Sequence, residues 1–310
     1  MSADRGGGER TAVLVLVAVT ALWGSSFPFT KELVGRIPVD DYLGLRFLLA
    51  AAALLVVRPG LLRQLTPHSI RVGVGLGVLY GAAQLVQFEG LARSSPTVAA
   101  FVVSLAVVFT PLIGALVLRH LPDRRTVLAT VIATVDVGVM SLRGSSVGTG
   151  ELITAASAAM YAVHVLALGR FARRGEVLAL TFLQFATMGV LCTALGARDG
   201  LTLPRGGDVG VFLYLALIVG MLALLGQGWA QSRTTPHRVA VLLVLEPVWA
   251  AVFAAAFWHH PSDLRTLVGG ALVVQAMLLV AVPGVWSRSR VRRSLMSGTL
   301  ARRLVGTTNT

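Results

Sequence analysis

The sequence predicts an all-α membrane protein of ten transmembrane helices, arranged as two five-helix halves. Three observations carry that reading. The chain is 55% hydrophobic and only 13% charged, with a mean hydropathy of +0.78, whereas soluble domains carry roughly 25% charged residues. Its charges fall in clumps, leaving apolar stretches about as long as the ~20 residues that cross a bilayer core. The second half also repeats the first at an offset near 140 residues.

The spans follow in order. Thr11–Thr30 is free of charge and long enough to stay in the membrane as a first helix rather than be removed as a leader. Tyr42–Val57 carries only Arg46, and Val72–Phe88 and Ser94–Leu118 carry no charge. Thr126–Leu142 carries only Asp136, and Leu152–Gly169 has His164 as its one ionisable group. Val177–Ala197, Val209–Ser232 and Thr266–Ser287 are charge-poor throughout, and Val239–Trp258 between the last two contains Glu246 alone. The connecting loops are too short to hold a soluble domain.

The net charge of +13 invites a nucleic-acid reading, and its distribution defeats it. With the N-terminus in the cytoplasm, nineteen Arg fall on the inner side, among them Arg63, Arg124, Arg173, Arg233 and six after Trp286. Seven cations fall outside: Lys31, Arg36, Arg93, Arg143, Arg198, Arg205 and Arg265. That bias places both termini in the cytoplasm and the protein in the cell's cytoplasmic membrane. The basic tail, 285–310, is expected to touch anionic lipid. A single cysteine, Cys192, excludes a disulfide framework and a cysteine-based metal site.

An offset of 140 brings Gln87 onto Gln227, Arg93 onto Arg233, Pro96 onto Pro236 and His120 onto His260. An offset of 138 brings Trp23 onto Tyr161 and Leu45-Arg46-Phe47 onto Leu183-Gln184-Phe185. The organisation is therefore a cytoplasmic segment 1–10, a repeat 11–143, a repeat 150–284 and the tail. Five spans is an odd number, so the second repeat enters the membrane from the opposite side. Inverted repeats of this kind are a signature of secondary transporters with a central site.

The stretches ALWGSSFPFTKE (21–32), LRFLLAA (45–51), QFEGLARSSPTVAAF (87–101), AVHVLALGRFARR (162–174) and GWAQSRTTPHRVAVLLVLEPVWAA (228–251) occur in fixed order across the spans. In them the chain resembles the EamA family of the drug/metabolite transporter superfamily over nearly its whole length. The resemblance implies a ten-helix transporter of a small metabolite, an amino acid or related compound, often an exporter and without a cofactor. Uptake by the same fold is the alternative.

Candidate working residues are the polar ones inside spans, where burial is costly without a partner. Glu246 stands before Pro247, which frees the Leu243 carbonyl; the carboxyl either couples transport to protons or repairs the broken turn. His164 is expected at a depth similar to Glu246, close enough to share a proton, or to be a packing residue. Arg46 and Glu89 offer an ion pair across the bundle, with snorkelling of Arg46 and a Glu89–Arg93 pair as the plain alternatives. Asp136 is either a proton site or a solvated bundle residue. Gly24, Ser25, Ser26 and Pro28 predict a break in the first helix. Trp23 and Tyr161 are placed to face each other across the repeat interface. Gln87, Gln184 and Gln227 are buried hydrogen-bonding groups for substrate or neighbouring helices. Gly73, Gly77 and Gly81 predict tight helix packing. An embedded enzyme would need a nucleophile–base pair or a metal cluster, and neither motif occurs. A sensor would need a signalling domain. No metal is expected.

Overall fold

The computed structural model describes residues 3–117, 124–143, 146–171, 176–198, 200–231, 233–234, 236–258 and 263–281. The architecture is an α-helical bundle, with one two-residue antiparallel ladder, Leu142–Arg143 on Ser146–Val147, at the junction between the halves. The first half contains α1 (Ala3–Val34), α2 (Val39–Val57), α3 (Pro67–Arg93), the pair α4 (Pro96–Ser104) and α5 (Ala106–Val117), and α6 (Arg124–Ser141). The second contains α7 (Thr149–Phe171), α8 (Val177–Gly196), α9 (Gly207–Leu213), a π-helical stretch Tyr214–Leu222, α10 (Ala223–Gln231), the pair α11 (Pro236–Leu243) and α12 (Leu245–Trp258), and α13 (Leu264–Ala281).

The local chemistry explains the boundaries. Pro67 and Pro96 open α3 and α4 at the first turn, where no donor is lost. Thr66 and Ser69 form a reciprocal capping box, and Ser95 accepts from the Val98 N–H. Asp263 caps α13 through the Thr266 N–H at 2.9 Å, and the Thr266 hydrogen bonds hold its carboxyl below the usual range. Among the described residues six helical segments are long and apolar enough to cross a membrane: Arg10–Val34, Pro67–Arg93, Pro96–Val117, Thr149–Phe171, Val177–Gly196 and Gly207–Gln231. Val241–Phe257 and Leu264–Leu279 are shorter apolar helices. The outward faces carry Leu14, Val56, Leu116, Val177 and Phe257, each more than half exposed, a surface suited to lipid rather than water.

Close packing inside is set by small residues. A Cβ at Gly73 would meet Leu183 Cβ at 2.6 Å, one at Gly77 would meet Thr187 Cβ at 2.8 Å, and one at Gly81 would meet Met188 Cγ at 3.1 Å. These three glycines lay one face of α3 against α8, as their spacing predicts. Gly75, on the opposite face, has nothing within 4 Å.

The contacts between halves come in matched sets. Exchanging the halves maps α1 onto α7, α2 onto α8, α3 onto the π stretch with α10, α4–α5 onto α11–α12, and α6 onto α13. Under that exchange α3 on α7 becomes α10 on α1, and α12 on α1 becomes α4–α5 on α7. The α2–α8 and α6–α13 pairs map onto themselves. End contacts join loops of like side: Arg36 holds Asp208 at 2.6 Å, Lys31 donates to the Leu91 and Ala92 carbonyls, and His68 contacts the Phe171 carbonyl and Glu176.

Two breaks bear on function. The α4–α5 pair breaks at Leu105, and the α11–α12 pair breaks at Val244, whose N–H drops to a 3.3 Å bond with the Val241 carbonyl. The second break lies one turn before Pro247, as expected from the freed Leu243 carbonyl. The first lies at the equivalent place with no proline there, so the break belongs to the repeat and not to Pro247 alone. The expected break in the first helix is absent. α1 runs unbroken through Pro28, and the hydroxyls of Ser25 and Ser26 donate to the Leu22 and Trp23 carbonyls at 2.7 and 2.6 Å. The tail 285–310 and its lipid contact lie outside the described residues.

Candidate functional site

A polar cluster lies within the bundle where both halves meet. α3 presents Tyr80, Gln84 and Gln87, spaced at one-turn and two-turn intervals so that all three share a face. α7 presents Tyr161 and His164 to the same place. The Tyr80 ring stands edge-on to Tyr161 at 5.8 Å and lies 5.0 Å from the His164 ring. The Tyr161 hydroxyl donates to Gln87 Oε1 at 2.5 Å, and Gln84 Nε2 donates to the Tyr80 hydroxyl at 2.9 Å. α8 contributes Gln184, whose Nε2 is spent on the Leu180 carbonyl. Its Oε1 therefore faces His164 Nε2 at 2.6 Å, which fixes the hydrogen on that ring nitrogen.

α2 brings Arg46 to the cluster, buried with only 8% of its surface exposed. Its Nη1 donates to the Tyr42 hydroxyl at 2.9 Å, and the guanidinium lies over the rings of Phe47 and Tyr42 at 5.4 and 5.7 Å. Glu246 enters from the first turn of α12, partly buried. Arg46 and Glu246 form no ion pair with each other among the described residues.

α1 closes the other side. The Trp23 Nε1–H donates to the Val219 carbonyl at 3.2 Å. That acceptor is free because the π stretch sends the Ala223 N–H five residues back, to Ile218, and so skips Val219. The Tyr214 hydroxyl meets Ser25 Oγ at 2.6 Å. Gly24 lets the backbones of α1 and α12 touch at the turn carrying the carboxyl: a Cβ there would lie 2.8 Å from the Glu246 carbonyl oxygen.

Several expectations change. Arg46 neither pairs with Glu89 nor snorkels; it is buried seven residues inside α2 and is held by Tyr42. Glu89 pairs with Arg93 one turn on, half-exposed at the end of α3, because that partner is local and the site is not. His164 bonds Gln184 rather than Glu246, since α8 and not α12 lies beside its ring. Trp23 and Tyr161 are engaged by different partners, Val219 and Gln87. Gln227 is half-buried on α10. Asp136 lies on α6, and its side chain is outside the described residues. Among the described residues no group of acidic, His or Cys side chains is arranged to hold a metal.

Tyr42, Tyr80, Gln84 and Tyr214 are additions from the structure. One signal for three of them was present: the chain has only four tyrosines, Tyr42, Tyr80, Tyr161 and Tyr214. All four are engaged in this site.

The fold and site define a multi-pass helical membrane protein with a polar centre buried between two related halves. A family model of the EamA-like transporter family matches residues 10–142 and again 148–282, and the chain belongs to that family. That membership makes it a membrane transporter. It is 25% identical over 273 residues to an uncharacterized transporter of Archaeoglobus fulgidus, covering 87% of this chain and 86% of that one. A second uncharacterized transporter of the same organism is 23% identical over 281 residues, covering 86% and 96%. The uncharacterized transporter YyaM of Bacillus subtilis is 21% identical over 281 residues, covering 86% and 92%. One crystal structure of a protein shares the fold, with a TM-score of 0.60 at 19% identity, covering 87% of this chain and 96% of that one.

Proposed function

We propose that the chain is a secondary transporter that moves a small metabolite, an amino acid or related compound, outward across the cytoplasmic membrane. It works by alternating access between two inverted five-helix repeats, 11–143 and 150–284, each contributing five of ten spans, with both termini in the cytoplasm. The observation that carries this reading is the placement of a polar, ionisable cluster at the junction of the halves, beside a helix broken at Val244 and mirrored by the break at Leu105. Broken helices at a repeat interface supply turns whose partners can change as the cavity switches sides. The tyrosines, glutamines and Arg46 line the solute path, and Glu246 is the proton-coupling group. It stands in the first turn of α12, where the backbone packs on Gly24 of α1, and α1 offers it no ionisable partner at that contact.

Reconstitution into liposomes tests the reading. A counterflow screen over amino acids, amines and nucleosides is expected to find an exchanged solute. Glu246→Gln keeps size and hydrogen bonding but cannot cycle a proton. It is expected to retain counterflow and lose dependence on a pH gradient. A Gln variant with full gradient-dependent transport would remove the coupling role, and the absence of any exchanged solute would remove the transport mechanism.

A further inference from the structure

Arg46 is a buried cation whose coordination is unfinished. A guanidinium carries five N–H donors in a fixed fork. Here one is used, from Nη1 to the neutral Tyr42 hydroxyl. Nε is buried with no hydrogen-bond partner, and no carboxylate stands within ion-pair distance of Arg46 among the described residues. The guanidinium carbon lies over the Phe47 and Tyr42 rings at 5.4 and 5.7 Å, contacts that shelter the charge without neutralising it. What is left is the edge bearing Nε and Nη2, two parallel donors whose spacing matches the two oxygens of a carboxylate.

The π stretch sets Gly220 before that edge, where a Cβ would come into van der Waals contact with Nε at 3.9 Å. A second unfinished group lies across the same cluster. Gln84 Oε1 is buried with no hydrogen-bond partner, although its amide nitrogen donates to Tyr80. A buried donor edge and a buried lone acceptor, joined through the Tyr80 ring and its neighbours, are costly to leave unmet. Together they describe the missing ligand.

We propose that Arg46 seats the carboxylate of the transported solute through its Nε–Nη2 edge, and that Gln84 Oε1 receives a hydrogen-bond donor at the solute's other end. This rests on the transport reading above and assigns the chemistry its site recognises. Tyr42 is the positioning residue: by taking Nη1 it turns the fork so that the paired donors face the path.

The test uses the full-length protein, purified and reconstituted, with matched probes: leucine, phenylalanine, threonine and lysine, each beside its C-terminal amide and its deaminated acid. Binding is read as the rise in thermal unfolding midpoint and transport as counterflow. At least one acid is expected to bind, its amide is expected to lose most of that binding, and its deaminated acid is expected to keep part of it. Arg46→Gln is expected to weaken the acid on the order of a hundredfold. Arg46→Lys, which keeps charge without the fork, is expected to recover only part of that loss. Gly220→Val leaves Arg46 in place and is expected to weaken the acid by filling the space before it, so the proposal stays testable should Arg46 variants fail to fold. Amides binding as well as acids, or Arg46→Gln binding like wild type, would overturn it. So would exchange of amines or nucleosides with no carboxylate bound, an outcome that leaves the transport reading intact.

Discussion

Gly24 makes a sharp test of whether the α1–α12 contact sets the position of Glu246. A Cβ placed on Gly24 would lie 2.5 Å from Trp249 Cβ, and 2.8 Å from both the Ala250 nitrogen and the Glu246 carbonyl oxygen. Comfortable carbon contacts need about 3.5–4.0 Å, so Gly24→Ala requires the helices to part by about 1 Å. Two of the three opposing atoms are backbone, so no rotamer change absorbs the strain. Overpacking of this kind costs about 1–3 kcal/mol, while replacing a helical glycine returns up to ~1 kcal/mol. The net loss of stability is therefore modest, about 0–2 kcal/mol from those two figures. The effect on transport is expected to be larger, because a displacement of ~1 Å at a working group can cost about a hundredfold in rate. The assay pairs initial counterflow rates in liposomes with thermal midpoints in detergent. Gly75→Ala is the control: nothing lies within 4 Å of its Cβ, so rate and midpoint should hold or rise slightly. Wild-type transport in Gly24→Ala, or equal slowing in Gly75→Ala, would refute the argument.

Two further predictions follow from the same geometry. Tyr161→Phe keeps the ring against Tyr80 but leaves Gln87 Oε1 without its donor, which is expected to destabilise the protein by about 1–3 kcal/mol and slow transport; an unchanged midpoint and rate would return Tyr161 to a packing role. Reporter fusions at Arg63, Arg124, Arg173 and Arg233 should signal from the cytoplasm and those at Arg36, Arg143 and Arg205 from outside, and a cytoplasmic signal at Arg205 would break the ten-span topology.

Sequence shows depth in the membrane well and direction around a helix poorly, and the outcomes divide along that line. The six long apolar spans, the glycine face of α3 and the weakness before Pro247 all depend on position along one helix, and each was legible. Partner choice was not. Arg46 and Glu89 look like a pair because each is a charge in an apolar span, yet Glu89 has Arg93 four residues away and Arg46 points into the bundle. His164 and Glu246 sit at comparable depths, but α8 supplies Gln184 at the ring edge. The first helix shows the same limit differently. Gly24 and Pro28 suggest a break, whereas two serine hydroxyls bonded to backbone carbonyls accompany an unbroken helix, and the glycine serves a neighbour instead. The π stretch left no mark in the sequence, since Tyr214–Leu222 is uniformly apolar and suits an α-helix equally well.

The repeat then explains how unlike polar residues come to share one buried site. Positions related by the repeat reach the cluster from opposite halves: Trp23 and Tyr161, Arg46 and Gln184, Ser26 and His164, Tyr80 and Gly220. An exact duplicate would place two rings or two cations against each other at such a centre, and like charges or doubled bulk would close it. Divergence avoids both. The cation Arg46 of one half has the amide Gln184 as its mate, and Tyr80 has Gly220, so neither charge nor ring is doubled. Glu246 and Gly24 have as their mates Ala106 and Ala162, the latter fully buried, so a small residue stands at both contacts but a carboxyl at only one. The scaffold is shared between the halves and the chemistry is not, which is the asymmetry that the proposed transport of one solute in one orientation requires.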